Sequence, residues 1–269
     1  MNRFPCLLLL AISCSASAVA IRHDVDDSKY RVEPSEFPAL ADMPGEGHGT
    51  LIAPQWVLTA AHVVNGNQVT AIDLNGKSRK VERVVVYPGY TGLPQALIEK
   101  ALAGDASEGM VFLAASNDIA LVKLAEPVTD VAPARIHHGE LARGRLVKLI
   151  GKGGTGNGID GMPAHGSHRT ELRRAYNNIS GVDGRWLSYT FDSGEAALDL
   201  EGMGANGDSG SPLLVEAGGQ WEVAGLASYK SIVGPLVENR VGVYTQQSYN
   251  LRVSQYDAWI ASVTASEAR

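Results

Sequence analysis

One stretch constrains this chain more than any other: Gly207-Asp208-Ser209-Gly210-Ser211-Pro212. Its serine stands between small residues, with an acid before it and a glycine after it. Little side-chain bulk hinders approach to the hydroxyl, and the flanking backbone N–H groups are able to turn toward whatever it attacks. A serine hydroxyl alone is a weak nucleophile. It needs a base, and the base needs a carboxylate to orient it. A fold that uses this stretch must bring a histidine and an acid to it from elsewhere in the chain.

Both are present. His62 closes Leu58-Thr59-Ala60-Ala61-His62, directly after a short apolar segment, and is expected at a strand end in a helical turn. Asp118 lies in Asn117-Asp118-Ile119-Ala120-Leu121, a polar turn running into an apolar strand. The chain order is His, Asp, Ser, which is the chymotrypsin order and not that of subtilisin or the α/β-hydrolases.

Most of the rest reads as short strands. Thr50–Ala53 and Gln55–Thr59 are separated by Pro54, and Val69–Leu74 enters a hairpin turn at Asn75-Gly76. Further strands are expected at 79–87, 119–124, 145–150, 171–180, 186–191, 212–216, 221–228 and 241–245. Residues 91–116 break the pattern; Gln95–Ala103 has helix-forming composition and ends at Gly104. Glu126–Pro133 reads as the connection between two halves, and the glycine-rich run 151–158 as a mobile loop. From Leu251 to Val263 the apolar residues fall at helical spacing, so the chain should end in an amphipathic helix. Short strands with frequent turns and one terminal helix argue for an all-β barrel or sandwich architecture.

These motifs, in this order, resemble the trypsin-like (chymotrypsin-family) serine proteases, and the resemblance extends over nearly the whole chain after its first twenty residues. It rests on Gly49–Ile52 to His62, Asp118–Leu121, Ile150–Gly153, Gly207–Gly210, Val223–Tyr229, Gly242–Thr245 and Tyr256–Ile260. It implies two six-stranded antiparallel β-barrels, with the active site between them and a C-terminal α-helix. It also implies that Ser209 attacks a peptide carbonyl, His62 moves the proton, Asp118 orients the imidazole, and the N–H groups of Gly207 and Ser209 form an oxyanion hole. The expected activity is that of a secreted serine endopeptidase acting on a protein or peptide substrate. A catalytically inactive trypsin-like binding protein is the alternative, and an esterase using the same three residues is a weaker third reading.

The chain departs from the family at several places. Trypsin carries an aspartate six residues before the serine; here 209 − 6 gives Met203, so an apolar pocket floor is expected. Ser228-Tyr229-Lys230 stands where relatives often have Ser-Trp-Gly, so Lys230 at the rim keeps an acidic preference as the second specificity. Ser228 and Gly242 complete the expected substrate-binding set. Family activation pairs a freed N-terminal Ile or Val with the acid before the serine. Here that acid is Asp208, and cleavage after Ala20 would free Ile21.

Arg3 followed by the apolar run Phe4–Ile12 and small residues reads as a signal peptide over 1–20, with Ala16-Ser17-Ala18 and Ala18-Val19-Ala20 both fitting a cleavage site. The remaining chain divides into an N-terminal arm and first barrel over 21–130 and a second barrel and helix over 131–269. Location is then secreted or periplasmic, with no membrane association after signal removal. Both cysteines, Cys6 and Cys14, lie in the signal, so the mature chain has no disulfide. A net charge of -6 argues against a nucleic-acid partner. No cofactor or metal is expected. Gly202–Gly207 matches G-x-G-x-x-G without a surrounding βαβ pattern, and His137–His138, His165 and His168 read as surface-loop residues without neighbouring ligand types. Nothing in the sequence sets an oligomeric state.

Overall fold

The computed structural model describes residues 19–162, 171–231 and 241–265. The signal segment up to residue 18 and the histidines His165 and His168 lie outside the described residues.

The first half is a closed six-stranded barrel. Going round it, Leu40–Asp42 pairs with His48–Ala53, then Trp56–Thr59, Ala120–Leu124, Lys77–Val86 and Ala71–Leu74, which returns to Leu40–Asp42 through Ala41 opposite Leu74. Asn75 and Gly76, at φ 52° and 69°, make the tight turn that joins two of these strands. Leu51, Val57, Leu58, Ile72, Leu74, Leu121 and Val122 fill the interior at 2% exposure or less. Closure leaves no edge strand for another chain to pair with.

The second half is a seven-stranded antiparallel sheet among the described residues. Its order is Arg173–Asn178, Leu146–Gly151, Pro212–Ala217, Gln220–Lys230, Gln247–Arg252, Trp186–Thr190 and Gly181–Asp183. The last long strand of this sheet is Gln247–Arg252 and not 241–245. Gly242 and Thr245 have φ of 83° and 69°, which a continuous strand does not permit. The glycine-rich run also differs from expectation: Thr155–Asn157 is a strand, paired in parallel with Val19–Ile21, which pairs on its other side with Gly202–Met203.

Helix α1, Ala61–Val64, is the single turn that carries His62. Residues 91–116 form two helices, α2 at Gln95–Leu102 and α3 at Ser107–Ala115. The second is tied to the other half of the molecule, since Trp186 Nε1 donates to the Ala114 carbonyl at 2.8 Å and Arg185 to that of Ala115 at 2.7 Å. Helix α4, Asp257–Ala265, ends the described chain. His137 is buried against Glu222 at 3.0 Å, not on the surface; His138 is exposed beside Asp257.

The arm before the barrel is pinned by buried charges. Arg173 is fully buried and holds Asp27 through two bonds of 2.7 and 2.8 Å. Lys148, 2% exposed, reaches Glu36 at 3.1 Å and lies over the Trp221 ring. Removing Asp27 or Glu36 would leave a buried cation behind without that carboxylate, a change that costs up to about 3–5 kcal/mol.

Candidate active site

His62 and Asp118, 56 positions apart in the chain, are brought together by strand pairing in the first barrel. Asp118 precedes the strand Ala120–Leu124, which pairs with Trp56–Thr59, the strand leading into α1. The pairing fixes the spacing. Asp118 Oδ1 accepts the His62 backbone N–H at 2.9 Å, and Oδ2 lies 2.7 Å from His62 Nδ1. Ser228 Oγ donates to Oδ2 at 2.5 Å from the far half. Burial acts to raise the pKa of Asp118, but the nearby His62 and the hydrogen bonds from His62 and Ser228 outweigh it and hold the carboxyl below its usual value. The His62 side chain is 34% exposed, and its second ring nitrogen has no hydrogen-bonding partner among the described residues.

Ser209 is delivered from the other half on a loop whose backbone docks against the first barrel. Its carbonyl accepts the His48 N–H at 2.7 Å, and Thr59 Oγ1 donates to the His48 carbonyl at 2.6 Å. The loop can sit this close only because residue 210 is glycine. Gly210 has φ 74°, and a Cβ there would collide with the His48 carbonyl and lie 2.5 Å from Thr59 Oγ1 and 3.0 Å from Ala60 N. The serine loop therefore docks on the strand end two residues before His62. No hydrogen bond joins Ser209 to His62 among the described residues, a common state of such sites before substrate binds.

The loop's own backbone bonds alternate. The Asp208 N–H donates to Ala205 and the Gly210 N–H to Ala227, whereas neither the Gly207 nor the Ser209 N–H donates to a described residue. Two unspent donors thus flank a spent one. Asp208 anchors the loop from behind, its Oδ1 accepting Gly153 N–H at 2.8 Å and Oδ2 accepting Ala205 N–H at 2.7 Å. Gly151 and Gly153 leave it room; a Cβ on either would run into its carboxylate.

Two cavities meet at this site. One of about 490 Å³ is lined by Ser209, Gly207, Asn206, Ser228, Tyr229 and Lys230, among others. The other, about 280 Å³, is lined by His62 and Asp118 together with Leu93, Phe112 and Leu113 from the 91–116 segment. Tyr229 belongs to both and is held rigid, stacked on Tyr249 at 4.7 Å and edge-on to Trp186 at 4.9 Å.

The family model described as Trypsin matches residues 28–260. The chain belongs to the trypsin family. Among curated relatives, it is 29% identical over 238 residues to chymotrypsin-like elastase family member 1 of dog, spanning 81% of each chain. It is 30% identical to complement C1s subcomponent of pig over 79% of this chain, but only 31% of that longer protein. Its fold matches neuropsin, a serine protease of mouse brain, at a TM-score of 0.63 and 17% identity, covering 87% of this chain and 98% of that one.

In this trypsin-family chain the residues expected from sequence separate into two groups. His62, Asp118, Ser209, Gly207 and Ser228 converge, and Lys230 lines the cavity beside them. Met203 does not line that cavity. It is fully buried in the second core with Val19, Tyr189 and Leu213, because its strand pairs with Ala20. Gly242 is also set back: its N–H donates to Gln246 Oε1 at 2.7 Å, and the space beside it holds Ala20 and Met162. Ile21 pairs with Gly202 and Asn157, and it is Val19, two residues earlier, that shares a small cavity with Asp208. Ser228's bond to Asp118 and the Phe112–Leu113 wall were not read from the sequence. The helix-forming pattern of 95–103 was a partial signal for the wall.

Proposed function

We propose that this chain is a secreted serine endopeptidase. Ser209 adds to the substrate carbonyl as His62 takes its proton, giving a tetrahedral oxyanion received by the Gly207 and Ser209 N–H groups. Collapse expels the amine, which takes the proton from His62, and leaves an acyl-enzyme on Ser209. Water, deprotonated by His62, then adds to the acyl carbon, and collapse breaks the bond to Ser209 Oγ as His62 returns the proton to it, releasing the acid. Asp118 keeps the proton on Nδ1 so that Nε2 is the base, and Ser228 holds Asp118 in turn. The observation that carries this reading is the pair of hydrogen bonds between His62 and Asp118, with the Ser209 loop docked at Ala60 and two backbone donors left unspent. Cleavage profiling of an unbiased peptide library tests it: hydrolysis by the mature protein and none by Ser209→Ala is expected. A folded wild type that binds peptides without cutting them would favour the inactive binding reading.

The activating terminus is proposed to be Val19 in place of Ile21. Cleavage after Ala20 would remove Val19 and Ala20, both at most 1% exposed, and with them most of the strand between Thr155–Asn157 and Gly202–Met203. Cleavage after Ala18 keeps that strand and leaves an α-amino group on Val19, which lines a small cavity together with Asp208. Export would then itself produce the active form. N-terminal sequencing of secreted protein checks this; a mature chain beginning at Ile21 would overturn it.

A further inference from the structure

The cavity beside Ser209 carries a charge that the reaction itself does not use. We propose that Lys230 makes this pocket selective for a glutamate or aspartate side chain on the residue whose carbonyl Ser209 attacks. The inference rests on the peptidase reading and adds the substrate class to it.

Lys230 ends the strand Gln220–Lys230, with its backbone fixed opposite Ser248 and the immobilised Tyr229 just before it. It is half-buried and lines the cavity together with Ser209 and Gly207. No ion pair among the described residues includes it. Burial pushes its ammonium below the ordinary lysine value, while Asp208 and Glu46 act through space in the other direction. Neither carboxylate supplies what a substrate could. Both oxygens of Asp208 already accept backbone N–H groups, and Glu46, which also lines the cavity, is exposed on the turn before His48, where water screens its charge.

The rest of the lining suits a polar guest. Asn206, Ser228, Ser231 and Gln246 contribute to it, and the methionine that would have made an apolar floor is in the core. A carboxylate entering the cavity gives the ammonium a close counter-ion and a charge-assisted hydrogen bond. An apolar side chain would strip water from the ammonium and return nothing. A lysine or arginine side chain would set like charges together.

The experiment compares kcat/KM of the mature protein on peptide amides differing only at that residue: Glu, Asp, Leu, Phe and Lys. Active enzyme in each preparation is counted by titration with a small fluorophosphonate, so that rates refer to labelled Ser209. Wild type should favour Glu over Leu by about 30-fold or more, the range expected for a buried charge pair. Lys230→Met should flatten the preference, and Lys230→Glu should turn it toward Lys. Best cleavage after Leu, Phe or Lys by the wild type, or an acidic preference that survives in Lys230→Met, overturns the proposal while leaving the peptidase reading intact. Failure of the fluorophosphonate to label folded wild type overturns that reading, and the pocket's role falls with it.

Discussion

The two halves of this site are held by different means. On the first-barrel side, side chains do the holding: three donors converge on the 4%-exposed Asp118 and fix the imidazole. On the serine side, backbone does most of it, through glycines at 151, 153 and 210 and backbone hydrogen bonds with His48, Ala205 and Ala227, and the Asp208 carboxylate anchors the loop from behind. The difference follows from what each half must supply. A base needs a fixed tautomer, which a carboxylate enforces. An oxyanion needs bare N–H groups, which only a tightly turned loop of small residues presents.

The comparison predicts where each half breaks. Ser209→Ala removes the proposed nucleophile and should lower kcat by about 10⁶-fold. Its thermal unfolding should stay within about 0.5 kcal/mol of wild type, since no described side-chain bond is lost. Asp118→Asn should lower kcat by about 10⁴-fold, because the amide no longer enforces the tautomer. Steady-state kinetics on a peptide amide measures both.

Asp118→Asn also sharpens a pH prediction. The folded pKa of Asp118 lies below its unfolded value of 3.8. The stability it contributes is therefore fully present above that value and is lost as pH falls through the folded one. Urea midpoints between pH 7 and pH 2 should bring wild type and Asp118→Asn closer together only at the acid end. A constant separation would contradict the assignment.

On the serine side the damage should be to structure first. Gly210→Ala puts a Cβ on a φ of 74° and against His48, and should destabilise by about 2–4 kcal/mol with most activity lost. Calorimetry and kinetics on the same preparation check it; an unchanged midpoint would mean the loop is free to move away from His48. Ser228→Ala is the mildest break. It removes one of three donors to Asp118, costing about 1–1.5 kcal/mol and about tenfold or less in kcat. A loss as large as that of Asp118→Asn would give Ser228 a more direct part in the reaction.

The same contrast explains what the sequence revealed. The His62 and Asp118 segments carry apolar strands beside them, so their place on barrel strands could be read directly. So could the antiparallel first half, with its Asn75-Gly76 turn. The second half is encoded less plainly. The strand Gln247–Arg252 buries Ser248 and Asn250 at 3% and 1% exposure, so its inward residues look polar and the apolar Val243-Tyr244 nearby drew the assignment. Thr155–Asn157 is a strand because Val19–Ile21 lies beside it, a partner far away in sequence. Helix α3 begins at Ser107, where the residue directly before it is Ala106 and the carboxylate that accepts the Ser107 N–H, at 3.0 Å, sits one position earlier at Asp105, so the start signal is displaced from the usual cap position. The spacing that placed Met203 near the pocket was sound in chain distance. Pairing with Ala20 turned its side chain into the core, and Lys230 took the cavity instead.

In the proposed mechanism His62 activates Ser209 across the two halves. Mass spectrometry of the mature protein after treatment with a fluorophosphonate tests it directly. One adduct per chain is expected, on Ser209, and it is lost in His62→Ala while the fold persists. A folded wild type that stays unlabelled, or labelling of Ser209 that is indifferent to His62, would contradict it.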